Sequence, residues 1–467
     1  MTQRKSKKLE FQGLGSRKVV SRFDGGMITS DAGVLLLREL EERLGIIARL
    51  AECFEDYRNP DYVEHSIEEL LRQRIFGLIL GYEHVSDHED LRRDTALAVA
   101  CGKVDPEGES RRHEADRGIA LASPATLNRL EVGVVDGGAD DRHKKIVCDL
   151  AAVEALLVEL WLDSFDEPPA QVVIDLDATD FALHGDQEDK FYHGYYGHYC
   201  YLPLYIFSGQ WLLSSLLRFA GIDASADCLL PLEMLVQALK HRFPDTQVIV
   251  RADSGFARNH IMAWCEEWEV DFVLGLAKNQ RLNRRTDLMM KRAQARCEET
   301  GESVRFFDDF QYRTKDSWSR SRRVIAKVEY TPRGPNPRYV VTSLSKDDVC
   351  AKAVYEVIYC QRGEAENRIK EVQLGLFADQ MSTSKVDSNQ LRCYFSSIAY
   401  LFICTFRRIA LDGTKWASLQ ASTIRTKLFK IGAQIRVTTR RIWCSMASSY
   451  PYQELFDTAL VRVQAGP

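Results

Sequence analysis

The chain has 467 residues, 45% of them hydrophobic and 28% charged, with a formal net charge of -5. That length and apolar content mark a soluble globular protein with a sizeable core divided among roughly two to four domains. Twelve cysteines lie scattered with no Cys-x-x-Cys pair, which argues against a zinc ribbon or a disulfide framework and for reduced thiols in a cytoplasmic protein.

In chain order, the basic N-terminus (Arg4, Lys5, Lys7, Lys8) is not followed by a hydrophobic segment with a cleavage site, so no secretion signal is expected. Segments 30–44 and 66–82 carry apolar residues at helical spacing: Leu36, Leu37, Leu40 and Leu44 in the first, Leu70, Leu71, Ile75, Leu78 and Ile79 in the second. Ser66 with Glu69 three residues later forms a capping box, and Gly45 stops the first helix. Ser123-Pro124 opens a short helix. Its Asn128 and Arg129 lie on either a recognition helix or an ordinary surface helix. A long helix is expected over 141–163, ending in an acidic Pro-Pro linker at 164–170. Residues 1–165 therefore read as a helical N-terminal domain, in which the short helix after Ser123 leaves a DNA-binding role open.

After the linker the periodicity changes. Segments 171–177, 199–207 and 212–220 read as three successive strands, 224–243 as a helix, 247–252 as a strand, 259–269 as a helix and 271–276 as a strand. An antiparallel meander, a crossover helix and further strands match the ribonuclease H-like α/β fold. Residues 166–279 form its first part. Residues 280–346 turn basic and β-like, which suggests an inserted β-rich subdomain separate from the central sheet. Residues 347–405 resume the core, and 406–467 form a basic helical C-terminal segment. The apolar run 395–406 is too short and too polar for a membrane span, so no membrane partner is expected.

Charge is unevenly placed. Residues 401–467 hold ten Lys/Arg against three acids, and a second basic stretch spans 278–333 with Arg281, Arg284, Arg285, Lys291, Arg292, Arg296, Arg320, Arg322 and Arg323. Such local surfaces either attract nucleic-acid phosphates or are solvated helix faces.

Three carboxylates carry the chemistry. Asp175 and Asp177 in VVIDLDAT project from the same face of the first strand, because side chains alternate along a strand. Asp177 is favoured, since it lies nearer the strand end and Thr179 follows; Asp175 remains the alternative. Asp253 follows the run VIVRA directly, and Ser254-Gly255 permits a sharp turn at the carboxyl edge of the sheet, where ligands bind in such folds. Glu366 shares a helical face with Tyr359, Arg362, Lys370 and Gln373. Two strand-end aspartates and a helical glutamate form a hard-oxygen set suited to magnesium or manganese acting on phosphodiesters. Singly, each acid could be a turn cap or a surface ion-pair partner. His184, His193 and His198, among the tyrosines of YHGYYGHYCY, read as structural.

Asp177-Ala-Thr, Asp253-Ser-Gly-Phe and Tyr359-x2-Arg362-x3-Glu366, with the opening RFDGGMITSDAGVLLLREL, resemble the DDE transposases of bacterial insertion sequences, in the branch with a Tyr-Arg-Glu-Lys signature. The resemblance implies that the three acids bind two divalent ions, Mg2+ or Mn2+, while Tyr359 and Arg362 help hold the element's end. The signature's Lys falls at Gln373 here, so Lys370 either takes over the phosphate contact or the contact is absent. The expected partners are double-stranded DNA, as terminal inverted repeats and target, and a second copy of the chain on that DNA. A nuclease without strand transfer, or a non-catalytic DNA-binding derivative, are the rival readings.

Overall fold

The computed structural model describes residues 7–134 and 137–465, and these separate into two compact units. The second unit (150–374 and 378–397) is built on one large mixed sheet. Its strands are β1 (Gln171–Ala178), β2 (Leu204–Ser208), β3 (Trp211–Leu216), β4 (Gln247–Ala252), β5 (Asp271–Leu276), β6 (Val304–Tyr312), β7 (Arg322–Thr331) and β8 (Arg338–Thr342). The order across the sheet is β3-β2-β1-β4-β5-β8-β7-β6, with the short strand Gly334–Pro335 on the end of β7. β1, β2 and β3 form the expected antiparallel meander, while β4 lies parallel to both β1 and β5.

Alternation along β1 sorts its residues between two layers. Val172, Ile174 and Leu176 pack into a core with helix α1 (Leu229–Arg242) and helix α2 (Asn259–Glu267), through residues such as Leu232, Val236, Ile261 and Met262. Val173 points the other way, towards Ile249, Val273, Val354, Tyr355 and Tyr359. Helix layers on both faces explain why β1, β4 and β5 read as nearly continuous apolar runs, since both sides are buried.

Several elements depart from the sequence expectation. Segment 280–346 is not separate from the central sheet: after helix α3 (Gln280–Thr300), strands β6, β7 and β8 extend the sheet beyond β5. The pairing of β5 with β8 joins residues some seventy positions apart, which local periodicity cannot reveal. Helix α1 starts at Leu229 rather than near 224. Arg218 donates to the carbonyls of Ala224 and Ala226, and Asp227 is left-handed (φ 57°), so 224–227 is held as a loop.

The first unit comprises 1–149, 375–377 and 398–467. Helices Val34–Leu44 and Ile67–Leu80 form as read, the former ended by left-handed Gly45 (φ 62°), the latter opened by the Ser66/Glu69 capping box. The unit is not wholly helical, however. The expected helix 141–163 begins only at Leu150, because Ile146–Cys148 pairs as a strand with Phe54–Asp56. Residues 406–467 likewise include the hairpin Ala433–Val437/Ile442–Met446, whose first strand also pairs with Met27–Thr29, before helix Gln453–Ala465. Gly33 touches Leu428 so closely that an added Cβ would lie 1.8 Å from its carbonyl oxygen, so a side chain is barred there.

Many cations of the two basic stretches serve the fold. Arg322 and Arg323 are buried, paired with Glu266 and Asp309. Arg425 donates to the carbonyls of Leu78, Ile79 and Gly375, and Lys430 pairs with buried Asp31 at 2.6 Å. The helix from Val386 to Leu411 is long and apolar enough to cross a membrane by length and composition, but 89% of its most apolar window is buried inside the protein.

Candidate active site

Register brings the two aspartates together. In the parallel pair β1/β4, Arg251 stands opposite Asp175 and Ala252 opposite Leu176, so the next residue of each strand end puts Asp253 beside Asp177 at the carboxyl edge of the sheet. Asp253 caps the turn that follows, its Oδ1 accepting the Gly255 N–H at 2.8 Å. Glu366 arrives from helix α4 (Gly363–Lys370). Asp177, Asp253, Arg362, Glu366, Lys370 and Gln373 line one pocket of about 260 Å³, together with Ala178, Thr179 and Ile369.

Arg362 lies between two of the acids, its Nη1 3.2 Å from Asp177 Oδ2 and its Nη2 2.6 Å from Glu366 Oε1. Burial pushes the Asp177 carboxyl up to about 7, with Asp253 and Glu366 adding repulsion against the opposing pull of Arg362. Burial also works against the Arg362 charge, but Asp177 and Glu366 more than offset it and its pKa is raised. A carboxylate at the edge of the core, crowded by two more, is starved of cation; one guanidinium does not neutralise three acids. Among the described residues no three His, Cys, Asp or Glu side chains close into a ready-made metal cage. The acids share a pocket in which a guanidinium bridges two of them.

Asp175 does not join this pocket. It is buried beside its register partner, with Arg251 Nε 2.5 Å from Oδ1 and Nη2 2.7 Å from Oδ2. Arg251 Nη1 also donates to the Ile358 carbonyl, immediately before Tyr359. This ion pair ties β1, β4 and the helical segment that carries Tyr359, Arg362 and Glu366. The signal for it was present in sequence: a lone Arg in the apolar run VIVRA of a central strand must find a buried carboxylate.

Tyr359 packs at the same edge. Its ring meets Tyr355 at 5.7 Å, burial raises its phenol pKa, and its hydroxyl approaches Gly275 on β5 so closely that a Cβ there would lie 2.5 Å away. The same hypothetical Cβ would meet the Asp253-Ser254 backbone at 3.0–3.2 Å, so Gly275 lets the Asp253 turn and Tyr359 sit together. Lys370 is exposed and lines the pocket beside Gln373. In the nearby hairpin Phe191–His193/His198–Tyr201, His198 Nε2 lies 2.8 Å from Asp180 Oδ2.

The family described as "Transposase DDE domain group 1" matches residues 11–467. No curated protein matches the chain. Among solved structures, the piggyBac transposase synaptic complex with hairpin DNA is similar at a TM-score of 0.41 and 11% identity, covering 86% of this chain and 79% of that one.

Proposed function

The chain belongs to the transposases with a DDE domain of group 1, and from that premise we propose that it moves an insertion sequence by cut-and-paste, with Asp177, Asp253 and Glu366 as its metal-holding acids. What supports the assignment is one observation: three acids separated by up to 189 positions line a single pocket at the carboxyl edge of a sheet. The strand order β3-β2-β1-β4-β5 around that edge supports reading the sheet as a ribonuclease H-like core, and carboxylate oxygens are the donors that hard divalent ions select. We place the chain in the bacterial Tyr-Arg-Glu-Lys branch on Tyr359, Arg362 and Glu366.

Divalent cations bound there, two of Mg2+ or Mn2+ in this reading, would polarise the scissile phosphodiester and lower the pKa of the attacking hydroxyl. The chain's own part is to hold and orient. Asp177 and Asp253 are fixed by strand ends, while Glu366 approaches from a helix. Arg362, released from the acids once they are neutralised otherwise, is a forked donor for a DNA phosphate, with Lys370 and Tyr359 on the same side. The substrates are double-stranded DNA, as terminal inverted repeats and then target, handled by two copies of a cytoplasmic chain. The first unit supplies further DNA contacts.

Asp177→Ala, Asp253→Ala and Glu366→Ala should each abolish strand cleavage while leaving binding to the inverted repeats intact. Wild-type cleavage by all three variants would defeat the assignment. A pre-cleaved end with a free 3′-hydroxyl, joined to target by the wild type, separates a transposase from a nuclease that only hydrolyses.

A further inference from the structure

The first unit holds a cleft of about 440 Å³ whose walls, among the described residues, carry Arg58, Arg92, Arg111, Arg129, Arg142 and Lys145 against two carboxylates, Glu64 and Asp116. Three of these cations are fixed in place by acids. Arg58 grips Asp56 through two bonds of 2.8 and 2.6 Å, Arg111 pairs with Glu64 at 2.8 Å, and Arg92 reaches Asp116 at 3.4 Å. Arg111 also lies 2.9 Å from His65 Nε2. Arg129 and Arg142 are different: both are exposed, and neither has an ion-pair or hydrogen-bond partner among the described residues.

The helix Pro124–Val132 adds to the same field. Ser123 caps it by accepting the Thr126 N–H, and Ser123, Thr126 and Arg129 all line the cleft, so its positive dipole end and its free guanidinium meet there. Asn128 does not line it, which favours backbone gripping over base reading for this helix. The potential is felt by His65. Burial first, then Lys103, Arg111, Arg58 and Arg92, push its imidazole down to about 3, so it stays neutral.

We propose that this arginine-lined cleft of the first unit binds phosphate, and specifically the backbone phosphodiesters of DNA, with Arg129 and Arg142 as the unpaired donors. Forked guanidiniums match phosphate oxygens two at a time, and a concave surface with uncompensated positive charge calls for a polyanion. The phosphate assignment rests on the cleft; its source, DNA, rests on the function proposed above.

The test uses the full-length chain and a labelled random-sequence duplex, in calcium so that binding is read without cleavage. Each lost phosphate contact removes about 0.9 from the slope of log affinity against log salt, so Arg129→Ala/Arg142→Ala should lower the slope by about two, with roughly tenfold weaker binding. Arg129→Lys/Arg142→Lys keeps the charge and should keep the slope. An unchanged slope in the alanine variant, or an equal loss in the lysine variant, overturns the proposal. Titration with inorganic phosphate is the second arm: saturable phosphate binding that the alanine variant loses, with duplex binding untouched, overturns the DNA assignment. A chain that cleaves DNA but shows no slope change sinks the cleft alone. A wild type that never cleaves, yet shows the slope change, sinks the catalytic reading alone.

Discussion

Asp175 and Asp177 stand two residues apart on one strand face, and neutralising each to Asn should change stability in opposite directions. Asp175→Asn breaks a buried bidentate pair and leaves Arg251 without its carboxylate, a change that costs about 3–5 kcal/mol. At about 2–4 °C per kcal/mol for a unit of this size, Tm should fall on the order of 10 °C. Asp177→Asn removes a carboxylate whose pKa is raised from 3.8 to about 7. That gap of roughly three pKa units corresponds to about 4 kcal/mol at most above pH 7. The opposing pull of Arg362 is already contained in that raised value. The variant should therefore be the more stable by up to about 4 kcal/mol at pH 8 without divalent metal. Because the raised pKa means that the native carboxyl takes up its proton between pH 7 and 4, the wild type regains this stability as pH falls, and the variant's advantage should vanish near pH 4. Calorimetry at both pH values on metal-free protein reads all of this. Asp175→Asn without a Tm loss, or Asp177→Asn destabilised as strongly, would refute the division of labour between the two acids.

Two further outcomes follow from close packing and burial. Gly275→Ala forces a Cβ against the Tyr359 hydroxyl and the Asp253 turn, an overpacking cost of about 1–3 kcal/mol, and should slow cleavage by displacing Asp253; unchanged Tm and cleavage rate would contradict the packing. His88 is fully buried and its imidazole is pushed down to about 3 by burial and Arg74, so stability is lost as pH falls below the unfolded value of 6.5. At pH 5 that loss amounts to about 2 kcal/mol, and His88→Gln should lose correspondingly less Tm than the wild type between pH 7 and pH 5. Equal losses would show that His88 is not held neutral.

The legible parts of this chain were those encoded locally. β4 and β5 start and stop where the apolar runs 247–252 and 271–276 do, and Gly45 and Ser66 mark helix ends through backbone geometry and capping that any chain obeys. Elements defined by distant partners were not. Strands β6 to β8 read correctly as strands, but their place in the central sheet depends on pairing with β5. The hairpin Ala433–Val437/Ile442–Met446 stayed hidden because Arg436, Arg440 and Arg441 give its sequence the look of a basic helix. Within the site, the positions of Asp177, Asp253 and Glu366 were legible from strand ends and helical offsets. That Arg251 needs a buried carboxylate was legible, but its choice of Asp175 and the need for Gly275 were not, since both are set by register across strands.

The central claim is that Asp177, Asp253 and Glu366 together hold divalent metal. Its most direct test is a titration of the DNA-bound chain with Mn2+, followed by electron paramagnetic resonance, in the wild type and in the Asp177→Asn, Asp253→Asn and Glu366→Gln variants. The account predicts two bound ions in the wild type and loss of tight binding in every variant, whereas wild-type stoichiometry and affinity in any of the three would contradict it.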